Sequence, residues 1–319
     1  MSDTNSYSEL INFIRSETDL HLQNMKLPEE PSYLYRPIDF ALKGKGKRLR
    51  PILVHLSGRG FGADPEDLMN AGLAVELMHN FTLVHDDIMD NDETRHGQPT
   101  IHKHFSVNKA ILAGDSIFAL AQLMIGKVKS FDAFQAFNTA SLSVCEGQAY
   151  DLEYENDSQV SLEQYLNMIG KKTGKLLSIC AELGAILGHK DELIRNEMRN
   201  YGMNLGMAFQ VQDDLLEIFS DSEQMGKSLG SDVSAGKQTI MTLLAKKHDG
   251  WDEIESIQEN ITLKLKRMRR FFIETGVNKR AEEMANQFIQ KAKSSLSILQ
   301  DDHQKTLNQF TEQVLNRTY

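Results

Sequence analysis

Two acidic segments, Asp86-Asp87-Ile88-Met89-Asp90 and Asp213-Asp214-Leu215-Leu216-Glu217, place carboxylates at the same i, i+1 and i+4 spacing, each at the end of an apolar run. On a helix the i and i+4 side chains share a face and the i+1 side chain lies about 100° round, so each segment gathers a compact acidic cluster. Carboxylates so close repel one another, and the C-terminal end of a helix disfavours a further anion by about 0.3–1 kcal/mol. An external cation relieves both penalties. Hard oxygen ligands, few per helix, suit Mg²⁺ shared with substrate phosphates. One such cluster is more often a solvated acidic helix end; two matched clusters beside apolar helices point to chemistry.

Cations answer the acids. Gly44-Lys45-Gly46-Lys47-Arg48-Leu49-Arg50-Pro51 sets four cations and two glycines just before a helical segment. Glycines let the backbone approach an anion, the following helix N-terminus offers N–H groups, and Lys and Arg supply charge and forked donors. The order of a Walker A loop is absent, so this is a phosphate site of another kind. Taken alone, the run would more often be a solvated basic surface. Further cations follow at Arg95 and His96, at Lys171 and Lys172 beside Thr173, and at Lys227 and Lys237. Carboxylates, divalent ions and several Lys and Arg together suit a diphosphate ester.

The elements that must position these groups read as helices. The 319 residues hold six prolines and 14 methionines, with few β-branched runs, which predicts an all-α chain large enough for a sizeable core. Helical periodicity is read at about 5–25, 32–43, 48–58, 64–90, 108–127, 131–156, 161–187, 191–219 and 238–247, then over 252–316 in two or three pieces. Residues 71–85 are apolar almost all round, which marks a buried helix. Both acidic clusters precede loops, and the Gly- and Ser-rich one at 221–237 is a candidate lid over a bound ligand. With no linker between halves, one domain spanning 1–319 is expected.

The net charge of −10, spread along the chain, argues against nucleic acid as the main partner. Cys145 and Cys180 lie in apolar helical patterns, so both are expected as buried free thiols, implying a reducing, cytoplasmic setting. No signal pattern opens the sequence, and no apolar run is expected to cross a bilayer.

The segments GKGKRLRP, ELMHNFTLVHDDIMDNDETRHGQPT, LAGD, GQAYDL, KKTGKL, FQVQDDLLEIFSD and GKSLGSDVSAGK, in this order from about Gly46 to Lys237, resemble those of the trans-isoprenyl diphosphate synthase (polyprenyl synthetase) family. The resemblance implies a single large all-α helical bundle around a deep central cavity, the isoprenoid synthase fold, usually homodimeric, with the two acidic motifs facing each other across its mouth. It implies that Asp86, Asp87, Asp90, Asp213, Asp214 and Glu217 carry Mg²⁺, about three ions with substrate bound, with Asp86, Asp90 and Asp213 as the foremost direct ligands. Arg95, Lys172, Thr173, Gln210, Lys227 and Lys237 match positions that hold the allylic diphosphate. Gly46, Lys47, Arg50, His79 and His96 match positions that hold isopentenyl diphosphate, with Phe209 alongside. Two residues depart from the family pattern: His96 stands where a second arginine is common, and Glu217 where an aspartate is usual.

The implied reaction ionises an allylic diphosphate, joins the allylic cation to isopentenyl diphosphate and releases a proton. An elongating product needs an apolar tunnel whose floor sets its length. Helix geometry alone picks Thr82, about 40° off the line of Asp86, as floor; the family pattern picks Phe81, five residues before the motif. The latter resembles short-chain enzymes that make geranylgeranyl diphosphate, with farnesyl or somewhat longer products as alternatives. Three rivals are weighed. A terpenoid cyclase or head-to-head synthase has no need of GKGKRLRP or His79, a non-catalytic partner subunit should lack one or both acidic motifs, and a purely structural bundle predicts no ordered coincidence of acids and cations.

Overall fold

A computed structural model of the chain describes residues 2–44, 46–95, 97–155, 157–219, 233, 236–257 and 261–315. Almost everything described is helix, as composition predicts. The chain divides into two compact units: the first takes the sequence up to Ser141 with Ile179–Arg199 and Ile298–Phe310, the second Leu142–Ser178, Asn200–Ser297 and the sequence from Thr311 on.

The first unit opens with α1 (Ser2–Gln23), α2 (Ser32–Leu42), α3 (Leu49–Arg59) and α4 (Pro65–Met89). Helix α4 starts cleanly because the Asp64 carboxylate accepts from the Glu66 and Asp67 N–H groups and Pro65 sits in the first turn. It is buried all round from Ala71 to Met78, is open in its first turn, and opens again in its last turns, where His79, Phe81, Thr82, Asp86 and Asp90 are half-buried. Where a plain loop was expected, a two-stranded hairpin follows, β1 (Thr94–Arg95) antiparallel to β2 (Gln98–Pro99), then the short α5 (Ile101–His104). Gly97, at φ 75, supplies the left-handed turn that closes this hairpin. Helix α6 (Val107–Lys127) is capped by Ser106 and packs along α4. By length and composition α6 is apolar enough to cross a bilayer, although Asp115 and Gln122 interrupt its apolar run, and a third of its most apolar stretch is buried inside the protein.

Helix α7 (Phe131–Glu153) runs from the first unit into the second, whose next elements are α8 (Leu162–Ile169), a π-helical turn (Gly170–Gly174) and α9 (Lys175–Leu187). A capping box between Ser161 and Gln164 starts α8. Helix α10 (Glu192–Phe219) carries the second acidic motif. Glycines let these elements touch backbone to backbone: a Cβ on Gly147 of α7 would lie 2.3 Å from the Lys172 nitrogen, and one on Gly206 of α10 would lie 2.6 Å from the Gly174 Cα. The tail forms α11 (Ile240–Ala245), α12 (Trp251–Glu255), α13 (Ile261–Thr275), α14 (Val277–Ser295) and α15 (Asp301–Leu315), more pieces than the two or three expected after 252. Gly276, at φ 75, takes the left-handed conformation between α13 and α14. The second unit's core gathers Tyr165, Met168, Val211, Leu215, Trp251, Met268 and Phe272.

Cys180 is buried, as expected, and forms no disulfide, and its thiol is pushed up to about 12 by burial. Cys145 also forms no disulfide but is exposed, a correction to the reading that placed it inside. It shares an outward stripe of α7 with Leu142, Glu146 and Ala149, so apolar neighbours in sequence misled about its face.

Candidate active site

The first unit brings the first acidic motif, the hairpin arginine and the glycine-rich basic run into one unit. The motif splits its carboxylates as helix geometry requires. Asp86 and Asp90, one turn apart, are half-buried, while Asp87, about 100° round, is only 5% exposed. Asp87 is taken by the protein: Arg95 donates Nε to its Oδ1 at 2.6 Å and Nη2 to Asp92 at 3.3 Å. The hairpin is what presents Arg95 to the helix end. Gly46 and Lys47 are exposed, and Arg50 is half-buried in the first turn of α3. His96, paired with Arg95 in the sequence reading, lies outside the described residues, as does Lys45.

Phe81, half-buried on α4, packs its ring 5.1 Å from Phe118 of α6 and 4.9 Å from His85. Thr82 turns its hydroxyl back to the His79 carbonyl at 2.8 Å, so of the two chain-length candidates Phe81 is the one that joins an aromatic cluster.

The second unit assembles the other half of the predicted set. Asp213 is half-buried, Asp214 is 6% exposed and Glu217 3%. Both oxygens of Asp214 are used: Oδ2 accepts the Tyr165 hydroxyl at 2.5 Å and the Ile240 N–H at 2.8 Å, and Oδ1 accepts the Gln210 amide at 3.1 Å. Gln210 in turn accepts the Thr173 hydroxyl at 2.8 Å. A buried polar chain therefore ties the second motif to the π-helical turn that carries Lys172 and Thr173. Burial, with Asp214 beside it, holds the Tyr165 hydroxyl well above its ordinary pKa, so it stays a donor.

Asp151, of the GQAYDL segment, was assigned no role from sequence. It is 8% exposed, accepts Lys172 Nζ at 2.6 Å and lies 3.7 Å from Lys237 Nζ. One carboxylate thus gathers two lysines and leaves the trio with net positive charge. Tyr165 was also missed, since a tyrosine in an apolar helical pattern reads as core until its partner is known. Asp151 carried a weak signal, an acid inside a segment already matched for other reasons. Phe209 is half-buried on α10 beside Gln210. Lys227, and most of the candidate lid at 221–237, lie outside the described residues. A cavity of about 330 Å³ in this unit, lined in part by Leu166, Gly170, Lys171, Met203 and Phe288, takes Lys171 from the candidate cations and none of the residues matched to metal or diphosphate binding.

Among the described residues no three His, Cys, Asp or Glu side chains form a ready-made metal cage. A Mg²⁺ ion keeps several waters and binds through one or two carboxylates plus substrate phosphates. Half-buried Asp86, Asp90 and Asp213 offer such carboxylates, while Asp87 and Asp214 are held by protein donors.

Residues 31–271 match the family model described as polyprenyl synthetase. The chain is 35% identical over 301 residues, 92% of its length and 93% of the relative's, to a geranylgeranyl pyrophosphate synthase of Geoglobus acetivorans. It is 31% identical over 315 residues, covering 91% of this chain and 92% of the other, to a geranylfarnesyl diphosphate synthase of Natronomonas pharaonis. The solved structure of a geranylgeranyl pyrophosphate synthetase from Pyrococcus horikoshii superposes with a TM-score of 0.88 at 34% identity, covering 98% of this chain and 100% of that one. The chain belongs to the polyprenyl synthetase family.

Proposed function

We propose that the chain is a Mg²⁺-dependent trans-prenyltransferase that condenses isopentenyl diphosphate with an allylic diphosphate and releases geranylgeranyl diphosphate. The observation that carries this reading is the matched division of labour in the two acidic motifs. In each, the second aspartate is buried and bound by protein donors, and the first stays half-buried. Full-length relatives named for geranylgeranyl and geranylfarnesyl products support the class.

In this reading Lys172, Lys237 and Thr173 hold the allylic diphosphate, with Arg95, Gln210 and Lys227 in the same task, and Asp86, Asp90 and Asp213 hold Mg²⁺. Held by these carboxylates, Mg²⁺ would supply positive charge against the negative charge that grows on the leaving diphosphate. The lysines do the same from fixed positions: Asp151 keeps both within reach of one point, so little reorganisation is needed as the C–O bond breaks. Gly46, Lys47, Arg50 and His79, with His96 and Phe209, hold isopentenyl diphosphate so that its double bond meets the allylic cation. The departing diphosphate takes the released proton. Water must be kept from the cation, a role assigned to the segment at 221–237. Phe81 forms the floor that stops growth, supported by its packing on Phe118.

Two further expectations belong to this proposal. Exposed Ile111, Leu112 and Leu123 on α6 and Phe131 at the start of α7 support a second copy of the chain as their cover, making a homodimer. Two cysteines without a disulfide suit a reducing cytoplasm.

The deciding assay incubates purified protein with isopentenyl diphosphate and each of the C5, C10 and C15 allylic diphosphates, with Mg²⁺ or with chelator, and sizes the products. Geranylgeranyl diphosphate, formed only with Mg²⁺, is expected. Failure to elongate any of the three starters would overturn the proposal in favour of a non-catalytic partner subunit. The reading also requires both acidic motifs to act on one diphosphate, so losses from Asp86→Asn and Asp213→Asn should combine far less than additively.

A further inference from the structure

Among the described cations of the glycine-rich run, Arg48 alone is buried, at 7% exposure, whereas Lys47 is exposed and Arg50 half-buried. Its backbone is left-handed, φ 50, a conformation unfavourable for a residue with a Cβ, and it is the residue from which α3 starts. The surroundings hold it there. Arg48 donates Nε to Asp19 Oδ1 at 2.7 Å, Nη1 to Glu76 Oε1 at 2.7 Å and Nη2 to the Gly44 carbonyl at 2.6 Å. Burial opposes its charge, but Glu76 and Asp19 more than offset this and keep the guanidinium ionised.

The three anchors come from different elements. Glu76, 3% exposed, is on α4, three residues before His79. Asp19 is on α1, where Arg15, one turn earlier, donates Nε to the Lys47 carbonyl at 3.4 Å. Gly44 belongs to the run itself. A loop with glycines at 44 and 46 has wide backbone freedom and cannot by itself present its N–H groups and cations in one arrangement. The fork of Arg48 removes that freedom at both ends of the loop, and it sets where α3 begins and so where Arg50 stands.

The geometry points to Arg48 as a positioning residue, clasped between α1 and α4, that shapes the isopentenyl diphosphate loop, so that the N-terminal helix tunes affinity for that substrate and leaves the allylic one alone. This rests on the assignment of Gly46, Lys47 and Arg50 to isopentenyl diphosphate. A lysine cannot replace the fork, since it is a point charge with no fixed planar geometry.

The test compares Asp19→Asn, Arg48→Lys and Lys47→Ala in steady-state kinetics with each substrate varied, alongside thermal melts. Asp19→Asn and Arg48→Lys should each raise KM for isopentenyl diphosphate about tenfold, with kcat and the allylic KM within about twofold. If Arg48→Lys does not fold, Asp19→Asn decides, because it leaves the buried Arg48–Glu76 pair intact. Equal rises in both KM values, or a lowered melting temperature with KM unchanged, would mean that the clasp only supports the fold and would overturn the proposal. A response in Lys47→Ala without one in the two clasp variants would overturn it alone. An unchanged KM in Lys47→Ala would sink the substrate assignment on which it stands.

Discussion

Replacing Tyr165 with phenylalanine removes one oxygen from the interior and nothing else, so it isolates what holds Asp214. The hydroxyl is 1% exposed as part of its residue and donates to Asp214 Oδ2 at 2.5 Å, a charge-assisted bond in a site closed to water. A hydrogen bond to a buried charge contributes about 1.5–3 kcal/mol. Phenylalanine would leave Asp214 with the Ile240 N–H and the Gln210 amide, two donors for a carboxylate that is 6% exposed. A stability loss of about 2 kcal/mol in urea unfolding is therefore expected. Asp214 also anchors Gln210 and through it Thr173, so kcat/KM for the allylic diphosphate should fall about tenfold, equivalent to about 1.4 kcal/mol. KM for isopentenyl diphosphate should move by less than about twofold, since Gly46, Lys47, Arg50 and His79 have no part in this chain of bonds and only Phe209 adjoins it, next to Gln210 on α10. Unfolding within about 0.5 kcal/mol of the parent, together with unchanged allylic kinetics, would show that Tyr165 does not position the second motif. Loss of stability with intact kinetics would confine the network to the fold and refute the link to substrate.

Three other outcomes follow from the same packing. Phe81→Ala opens space against Phe118 and His85 and should lengthen the product by at least one isoprene unit, read by chromatography of the dephosphorylated alcohols; unchanged products would remove Phe81 as the floor. His303, packed against Phe61 and buried, has its pKa lowered from 6.5 to about 4 by desolvation. The unfolded chain then binds that proton more readily, so stability complete above pH 6.5 is lost as pH falls toward 4, by about 3 kcal/mol from this group. Melting temperatures of His303→Gln should fall less steeply across that window than those of the parent, and parallel slopes would count against the buried neutral imidazole. A thiol reagent should modify exposed Cys145 rapidly and Cys180 only on unfolding, and two fast equivalents per chain in the folded protein would contradict the burial of Cys180.

Helix existence was legible because the periodic signal is long. The 64–90 and 108–127 readings fall within about two residues of α4 and α6. Shorter, locally encoded features were not. The hairpin at Thr94–Pro99 has two residues per strand, too few for any alternation to register, yet it is what brings Arg95 to Asp87. The tail holds more helices than periodicity predicts, and the left-handed backbone at Gly276 that separates α13 from α14 shows only in the structure. Cys145 illustrates the same limit on a helix face: its neighbours are apolar, but its own stripe looks outward.

The site was legible in residue type and spacing, and what stayed hidden was the division of roles within each acidic pair. Adjacent residues on a helix cannot point the same way, so a doubled aspartate commits one carboxylate to each of two directions about 100° apart. In both motifs the second aspartate turns into the protein and is fixed there, by Arg95 for Asp87 and by Tyr165, Gln210 and the Ile240 N–H for Asp214. The first is left half-buried at the same helix end. In the proposed reading a doubled acid is therefore a ligand and its own anchor. The inward carboxylate needs donors, which explains why an arginine and a buried tyrosine stand where they do, and it fixes the helix end that carries the outward one. Glu217 marks where the parallel with Asp90 stops, since it is 3% exposed while Asp90 is half-buried. The i+4 position of the second motif has thus moved toward the interior role, and substitution there should disturb stability before it disturbs Mg²⁺ affinity.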